Sequence, residues 1–255
     1  MKAVSLQSGS NGNCIYVETD DVRILFDAGI SGIQAEKRLE EVGRDIRDVD
    51  CVMISHDHWD HARYAAIFSR KYSLDVWMTH KTYSKVNSSG ACGRFHELSH
   101  FGAGEILCFN NTSVITIPTP HDAVDGVVFI VEDSHSRLGV MTDLGHVFAG
   151  LPELLMTLDG VFLESNYDVS MLENGPYPAF LKNRIKGRSG HISNAEAADL
   201  LSPAFRKKLK WACLSHLSQQ NNDPRTALDT HRNIIGDCAE LSVASRYGVS
   251  SFLSL

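Results

Sequence analysis

Apolar positions recur along this chain in two rhythms. Short runs at residues 3–7, 14–19 and 22–27 are broken by Ser8-Gly9-Ser10-Asn11-Gly12-Asn13 and by Asp20-Asp21, the pattern of strands joined by tight turns. A helical rhythm covers 33–42 and stops at Gly43; a buried-strand run follows, Cys51-Val52-Met53-Ile54. Strand-like runs at 75–78, 106–109, 113–117, 127–131 and 138–141 come next. Helical stretches then fall near 147–156, 177–185, 194–201 and 225–234, with strands at 160–163, 211–214 and 249–253. Strands, helices, strands and helices in that order predict an α/β protein, a sheet-on-sheet core covered by helices, or four-layer αββα sandwich. No linker, repeat or low-complexity segment divides the chain, so a single domain over residues 1–255 is expected.

The run ending at Ile54 and Ser55 opens onto His56-Asp57-His58-Trp59-Asp60-His61. In layered α/β proteins ligands bind beyond the carboxyl ends of the strands, where loops are held by a rigid sheet. His56 and His58 lie two apart in extended chain and project to one side, while Asp60 and His61 open a helix suggested by residues 62–68. A lone histidine is usually a surface or core residue. Three of them with an aspartate at this spacing are different, because without a metal each unmatched donor or acceptor would cost about 1–3 kcal/mol. The two pairs suit two ions roughly 3.5–4 Å apart that share a hydroxide, the arrangement of two-metal hydrolases. Imidazole and carboxylate favour Zn2+, with Mn2+ or Fe2+ as alternatives. His121, Asp143 and His216 each follow another apolar run, where a side chain reaches the same crevice.

Composition adds limits. With 43% apolar residues the chain can bury a sizeable core, and neither an N-terminal apolar leader nor a membrane-length run is present in the sequence, so a cytoplasmic protein with no membrane partner is expected. Six cysteines without a C-x-x-C pair read as reduced and mostly buried; Cys92 and His96 read as part of a solvated loop rather than a metal site. The net charge of −7 argues against nucleic acid, but its distribution does not. Lys182, Arg184, Lys186, Arg188, Arg206, Lys207, Lys208 and Lys210 face only Glu196 and Asp199, so this segment is +6 and the remainder −13. A basic patch of this kind can engage phosphates even on an acidic protein.

The H-x-H-x-D-H cluster, followed in order by His121, Asp143 and His216, resembles the metallo-β-lactamase fold superfamily over nearly the whole chain. That resemblance implies that His56, His58 and His121 bind one ion, Asp60, His61 and His216 the other, and that Asp143 bridges them. Leu163-Glu164-Ser165-Asn166-Tyr167-Asp168, Ser189-Gly190-His191-Ile192-Ser193-Asn194 and Leu214-Ser215-His216-Leu217-Ser218 are similar to the active-site surroundings of nucleic-acid phosphodiesterases in this superfamily, tRNase Z and the β-CASP nucleases among them. There an acidic residue after a strand supports a histidine that protonates the leaving oxygen, and Glu164 and His191 match those positions. A carboxylate beside an imidazole fixes its tautomer and favours its charged form. The competing reading, that His191 only caps the helix near Asn194, is outweighed by the basic run just before it. His191, Glu164 and Asp60 are thus the expected catalytic residues.

Narrower still, Ser8-Gly9-Ser10-Asn11-Gly12-Asn13-Cys14, His121-Asp122-Ala123, Thr142-Asp143-Leu144-Gly145, Glu164 to Asp168 with Met171-Leu172, and the two later motifs together look like the bacterial YycJ/WalJ family. That family implies a 5′-to-3′ exonuclease acting on DNA, with DNA favoured over RNA as partner and a role in DNA repair or metabolism. Trp59, Asp57 and His146 depart from its usual residues without removing a ligand; Trp59 beside the ions would narrow the entry or stack on a base. Ser8, Ser10, Asn11, Asn13 and Arg188 are candidates for holding substrate phosphate. The alternatives are a small-molecule hydrolase such as a lactonase or thioesterase, an RNA-processing nuclease, and a binding module with a relic site.

Overall fold

The first three apolar runs form the antiparallel meander that their turns demand. In the computed structural model, which describes residues 1–88, 93–236 and 240–255, β1 (Lys2–Gln7), β2 (Cys14–Glu18) and β3 (Arg23–Phe26) pair in the registers Ala3↔Val17 and Ile15↔Phe26. The described chain divides into two compact units. The first comprises Met1–Pro118, Ala123–Ser134 and Ser245–Ser254. Here β4 (Cys51–Met53), β5 (Asp75–Met78) and β6 (Glu97–His100) run parallel to β3, while β14 (Leu253–Ser254) covers β1, giving the order β14-β1-β2-β3-β4-β5-β6. Helices α1 (Gly32–Glu41) and α3 (Ala65–Tyr72) bring Ala35, Leu39 and Phe68 against Leu6, Tyr16, Leu25, Val52 and Val76. Ser31 and Gln34 close a capping box at the start of α1, satisfying backbone N–H groups that the helix leaves over. An antiparallel meander of β7 (Ile106–Phe109), β8 (Thr112–Pro118) and β9 (Val127–Glu132) belongs to the same unit, with Phe129 of β9 4.8 Å from Phe26. Because β3 to β6 are parallel, their carboxyl ends, Asp27 and the 55–61 cluster included, lie along one edge.

The second unit holds Thr119–Asp122 and His135–Ala244. Its parallel strands are β10 (Arg137–Met141), β11 (Gly160–Glu164), β12 (Trp211–Ser215) and β13 (Glu240–Val243), in register through Met141↔Leu163↔Leu214↔Val243. β11 and β12 are buried at every residue, the continuous apolar reading of a strand covered on both faces. α5 (Leu151–Leu155), α6 (Val169–Asn174), α7 (Ala179–Ile185), α8 (Asn194–Lys207) and α9 (Pro224–Ile235) fill the crossovers.

Several boundaries differ from expectation. The helix near 147–156 shrinks to α5, since Pro152 suits only the first turn. α8 runs on to Lys207 through Pro203, because Leu200, Leu201 and Ala204 continue its buried stripe. The helix at 62–68 is two pieces, α2 (Trp59–Ala62) and α3, and the last strand is only Leu253–Ser254. α4 (His80–Ser88), which buries only Thr82 and Val86, gave no periodic signal. Cys14, Cys51 and Cys213 are buried thiols, whereas Cys108 is exposed; Cys92, with the loop reading that included it, and Cys238 lie outside the described residues. No described helix is long and apolar enough to cross a membrane.

Candidate metal centre

In the first unit β3 ends at Phe26, and the chain turns at once through Asp27 in the left-handed region (φ 67°). Its carboxylate thereby meets the loop after β4. Oδ1 accepts the Ser55 N–H and hydroxyl, both at 2.8 Å, and Oδ2 lies 2.7 Å from His61 Nδ1. A carboxylate here only accepts, so His61 carries its hydrogen on Nδ1, and Nε2 is the basic nitrogen. Ser55 gives its single hydroxyl hydrogen to Asp27; its oxygen therefore accepts from His56 Nδ1 at 2.9 Å, and His56 takes the same tautomer. The His58 and His61 rings lie 4.7 and 4.1 Å from that of His56.

Asp60 and His61 sit in α2, held from the other side by Asn13. Its Nδ2 is 3.0 Å from His61 Nε2 and 3.4 Å from Asp60 Oδ2, while its Oδ1 accepts from Ser8 Oγ and Gly9 N. A Cβ on Gly29 would stand 1.8 Å from the Asp60 carbonyl oxygen, so only glycine lets these segments meet. Asp57 is used differently from its neighbours: Oδ1 accepts the Val124 N–H at 2.9 Å.

In the second unit one buried carboxylate ties three strand-end loops together. Glu164, last residue of β11, has Oε1 2.7 Å from His191 Nδ1 and 3.2 Å from His216 Nδ1, and its Oε2 accepts from Leu144 N at 3.0 Å and Ile192 N at 3.2 Å. Burial pushes the Glu164 carboxyl up, but the charge and hydrogen bond of His191, then the hydrogen bond from His216, hold it below the usual carboxylate range. Asp143 and His216, each just past its strand, are again left-handed (φ 57° and 55°). Asp143 Oδ1 lies 3.4 Å from His121 Nε2 and from His216 Nδ1, and 3.5 Å from His191 Nδ1. His121 donates from Nδ1 to the Gly190 carbonyl at 2.8 Å, which leaves its basic nitrogen toward Asp143. The His191 side chain is 18% exposed beside a fully buried Glu164, so it is the member of this group that meets solvent. The cap of α8 is Ser193, with Glu196 completing a capping box, and not His191.

Within each unit the expected residues gather: His56, His58, Asp60 and His61 in the first; His121, Asp143, Glu164, His191 and His216 in the second. Single ligand atoms of Asp143, Glu164, His191 and His216 lie within 4.8 Å of one another. The donors suit divalent ions. His56, His61 and His121 each have Nδ1 tied to an oxygen acceptor, the outer support that metal-bound histidines receive. Of the phosphate candidates, Ser8 and Asn13 are buried and bonded to each other, whereas Ser10, Asn11 and Arg188 are exposed. Much of the +6 segment is balanced locally: Arg184 meets Asp122, Lys186 meets Glu173 and Lys208 meets Asp159. Reading the sequence missed Asp27, Ser55 and Asn166, whose Nδ2 donates to the His216 carbonyl at 2.8 Å. Asp27 was findable by the rule that found Asp143, since it too follows an apolar run.

Residues 8–153 match the metallo-beta-lactamase superfamily. Over 237 residues the chain is 30% identical to an exodeoxyribonuclease WalJ of Streptococcus pneumoniae, covering 92% of this chain and 87% of that protein. It is 31% identical over 217 residues to an exodeoxyribonuclease YycJ of Bacillus anthracis, covering 85% and 82%. Among solved structures, the metallo-beta-lactamase fold protein YhfI from Bacillus subtilis superposes with a TM-score of 0.73 at 14% identity over 98% of both chains, which shows the αββα fold class expected from the sequence.

Proposed function

The chain belongs to the metallo-beta-lactamase superfamily and, within it, to the WalJ/YycJ-like nucleases, and from that membership we propose that it degrades DNA from the 5′ end by phosphodiester hydrolysis. It is a metal-dependent hydrolase whose histidine and aspartate groups suit two divalent ions. In the proposed site His56, His58 and His121 hold one ion, Asp60, His61 and His216 the other, and Asp143 is shared; Zn2+ is favoured, with Mn2+ or Fe2+ as alternatives. Bound ions would supply an activated water at neutral pH and offset the charge of the phosphate. The family match runs through segments of both units, which supports treating residues 1–255 as one domain.

The observation that carries the nuclease reading is the Glu164–His191 pair. A small acyl substrate with a stabilised leaving group needs little help from an acid; a phosphodiester must expel an alkoxide, and a proton delivered to that oxygen accelerates the step. His191 keeps Nδ1–H on Glu164 at 2.7 Å, so the proton it delivers sits on Nε2. Glu164, bonded also to Leu144 N and Ile192 N, holds that ring in one orientation. Arg188, three residues before His191, and Trp59, 54% exposed at the start of α2, are proposed contacts for phosphate and base.

The test is to incubate protein of defined metal content with matched 5′-phosphorylated DNA and RNA and to map the products. Stepwise release of nucleotides from the 5′ end of DNA is expected with Zn2+ or Mn2+. Turnover of a lactone or thioester in place of either nucleic acid would sink the proposal.

A further inference from the structure

The turn Gly9-Ser10-Asn11-Gly12, closed by Gly12 N on the Gly9 carbonyl at 2.9 Å, is gripped by a residue far away in sequence. Arg246 Nη1 lies 3.0 Å from Asn11 Oδ1 and 3.5 Å from Ser10 Oγ, while Asn11 Nδ2 donates to the Arg246 carbonyl at 3.1 Å. Its guanidinium lies flat against the turn where a side chain on Gly9 would stand: a Cβ there would be 2.9 Å from its Cζ, and Gly9 has φ +145°. The next residue, Tyr247, is 69% exposed.

The Arg246-Tyr247 segment is held from beneath by unusual means. Ser8 N donates to the Ser245 carbonyl at 3.0 Å, and Ser245 Oγ accepts from Tyr247 N and Gly248 N. Arg38 of α1, itself buried, donates to Gln7 Oε1 and to the Tyr247 carbonyl. A buried guanidinium is costly to desolvate, and an apolar residue would close α1 against the sheet at less cost. Here one of its donors, Nη2, fixes the Tyr247 carbonyl of an exposed turn, while Nη1 is anchored on Gln7. The same loop reaches the candidate ligands, for Asn13 N donates to the Asp60 carbonyl at 2.8 Å and Asn13 Nδ2 meets His61 Nε2.

We infer that Ser10, Asn11, Arg246 and Tyr247 form a nucleotide subsite next to the metal-binding loop, in which the hydroxyl, amide and guanidinium take a backbone phosphate of single-stranded DNA and the Tyr247 ring stacks on a base. The inference rests on the nuclease reading above. A planar guanidinium pre-set beside an amide and a hydroxyl matches the oxygens of a phosphate, and an aromatic ring accepts any base, as a nuclease without sequence preference requires.

Binding of a short single-stranded DNA with phosphorothioate linkages, which resist hydrolysis and keep each backbone charge, tests this by fluorescence anisotropy on the metal-loaded protein across a salt series. R246A should weaken binding about tenfold and lower the slope of log Kd against log salt by about 0.7, the value of one phosphate contact on a single strand. R246K should restore the slope. Y247A should weaken binding roughly tenfold with the slope unchanged, and Y247F should bind as the wild type does. The charge control K37A, on the exposed side of α1, should leave affinity and slope as they are. Thermal melting of each variant separates loss of fold from loss of contact. If the wild type binds DNA and either R246A or Y247A binds equally well, the subsite is overturned and the nuclease reading stands. A wild type that neither binds nor cuts DNA overturns both.

Discussion

At the scale of single residues, Asp27 and His191 carry separate predictions, one for metal affinity and one for turnover. Asp27 fixes the His61 tautomer and, through Ser55, that of His56. D27A should therefore lower metal affinity about 10- to 100-fold, read by competition with a chelator, while the fold is kept. His191 is the proposed acid. H191A should leave the bound metal content unchanged and lower kcat on DNA by about 10²- to 10⁴-fold. On a nitrophenyl phosphodiester, whose leaving group needs no proton, the loss should shrink to a few-fold; an equal loss on both substrates would show that His191 is not the acid. Residues such as His56, Asp143 and His216 were legible in the sequence because polar groups past apolar runs stand out. Asn13 was read there only as a phosphate candidate, and Arg246 not at all, because their bonds to Asp60 and to Asn11 join partners far apart along the chain that no local pattern reveals.

At the scale of elements, the strands were the easier part to read. A parallel strand buried on both faces is a short continuous apolar run, and β4, β11 and β12 are of that kind. Edge elements such as β6 and β13 bury little, so nothing in composition marked them. Helix α8 was underestimated since Pro203 is ordinarily a stop, yet its buried stripe continues past it. Its start bears directly on the site: Ser193 caps it two residues after His191, with Oγ accepting from Glu196 N at 3.3 Å and donating to Glu196 Oε2 at 2.7 Å. S193A should cost about 1 kcal/mol of stability, measured as a lowered denaturant midpoint at constant m-value. Kinetics of the same variant report on how firmly the cap anchors the His191 loop.

At the scale of the whole molecule, two features set the response to conditions. His231 of α9 is fully buried, with Nδ1 donating to the Ala227 carbonyl at 2.8 Å and Nε2 given no partner, and burial pushes its pKa down to about 4. The unfolded chain takes up that proton near pH 6.5, so between about 6.5 and 4 the unfolded state holds more protons and stability falls as the pH is lowered. The loss is fully developed below about pH 4 and reaches roughly 3 kcal/mol. H231F should flatten this acid limb in melts recorded from pH 7 to 4; an unchanged limb would assign it to other groups. Metal removal should act at all pH values at which the ions bind, lowering Tm on chelation because bound ligand stabilises the folded state by about 2.7 kcal/mol at a hundredfold excess over Kd.

Asp27, Asp143 and His216 share one more trait: each leaves its strand through a left-handed backbone that residues with a side chain resist by about 1 kcal/mol or more. Glycine would relax all three positions. The chain thus accepts a backbone cost at three of the places where it gathers histidines and carboxylates, as it does at Ser73 and Asn110 elsewhere, and a variant library sorted for heat resistance alone would be expected to drift toward glycine there and away from activity.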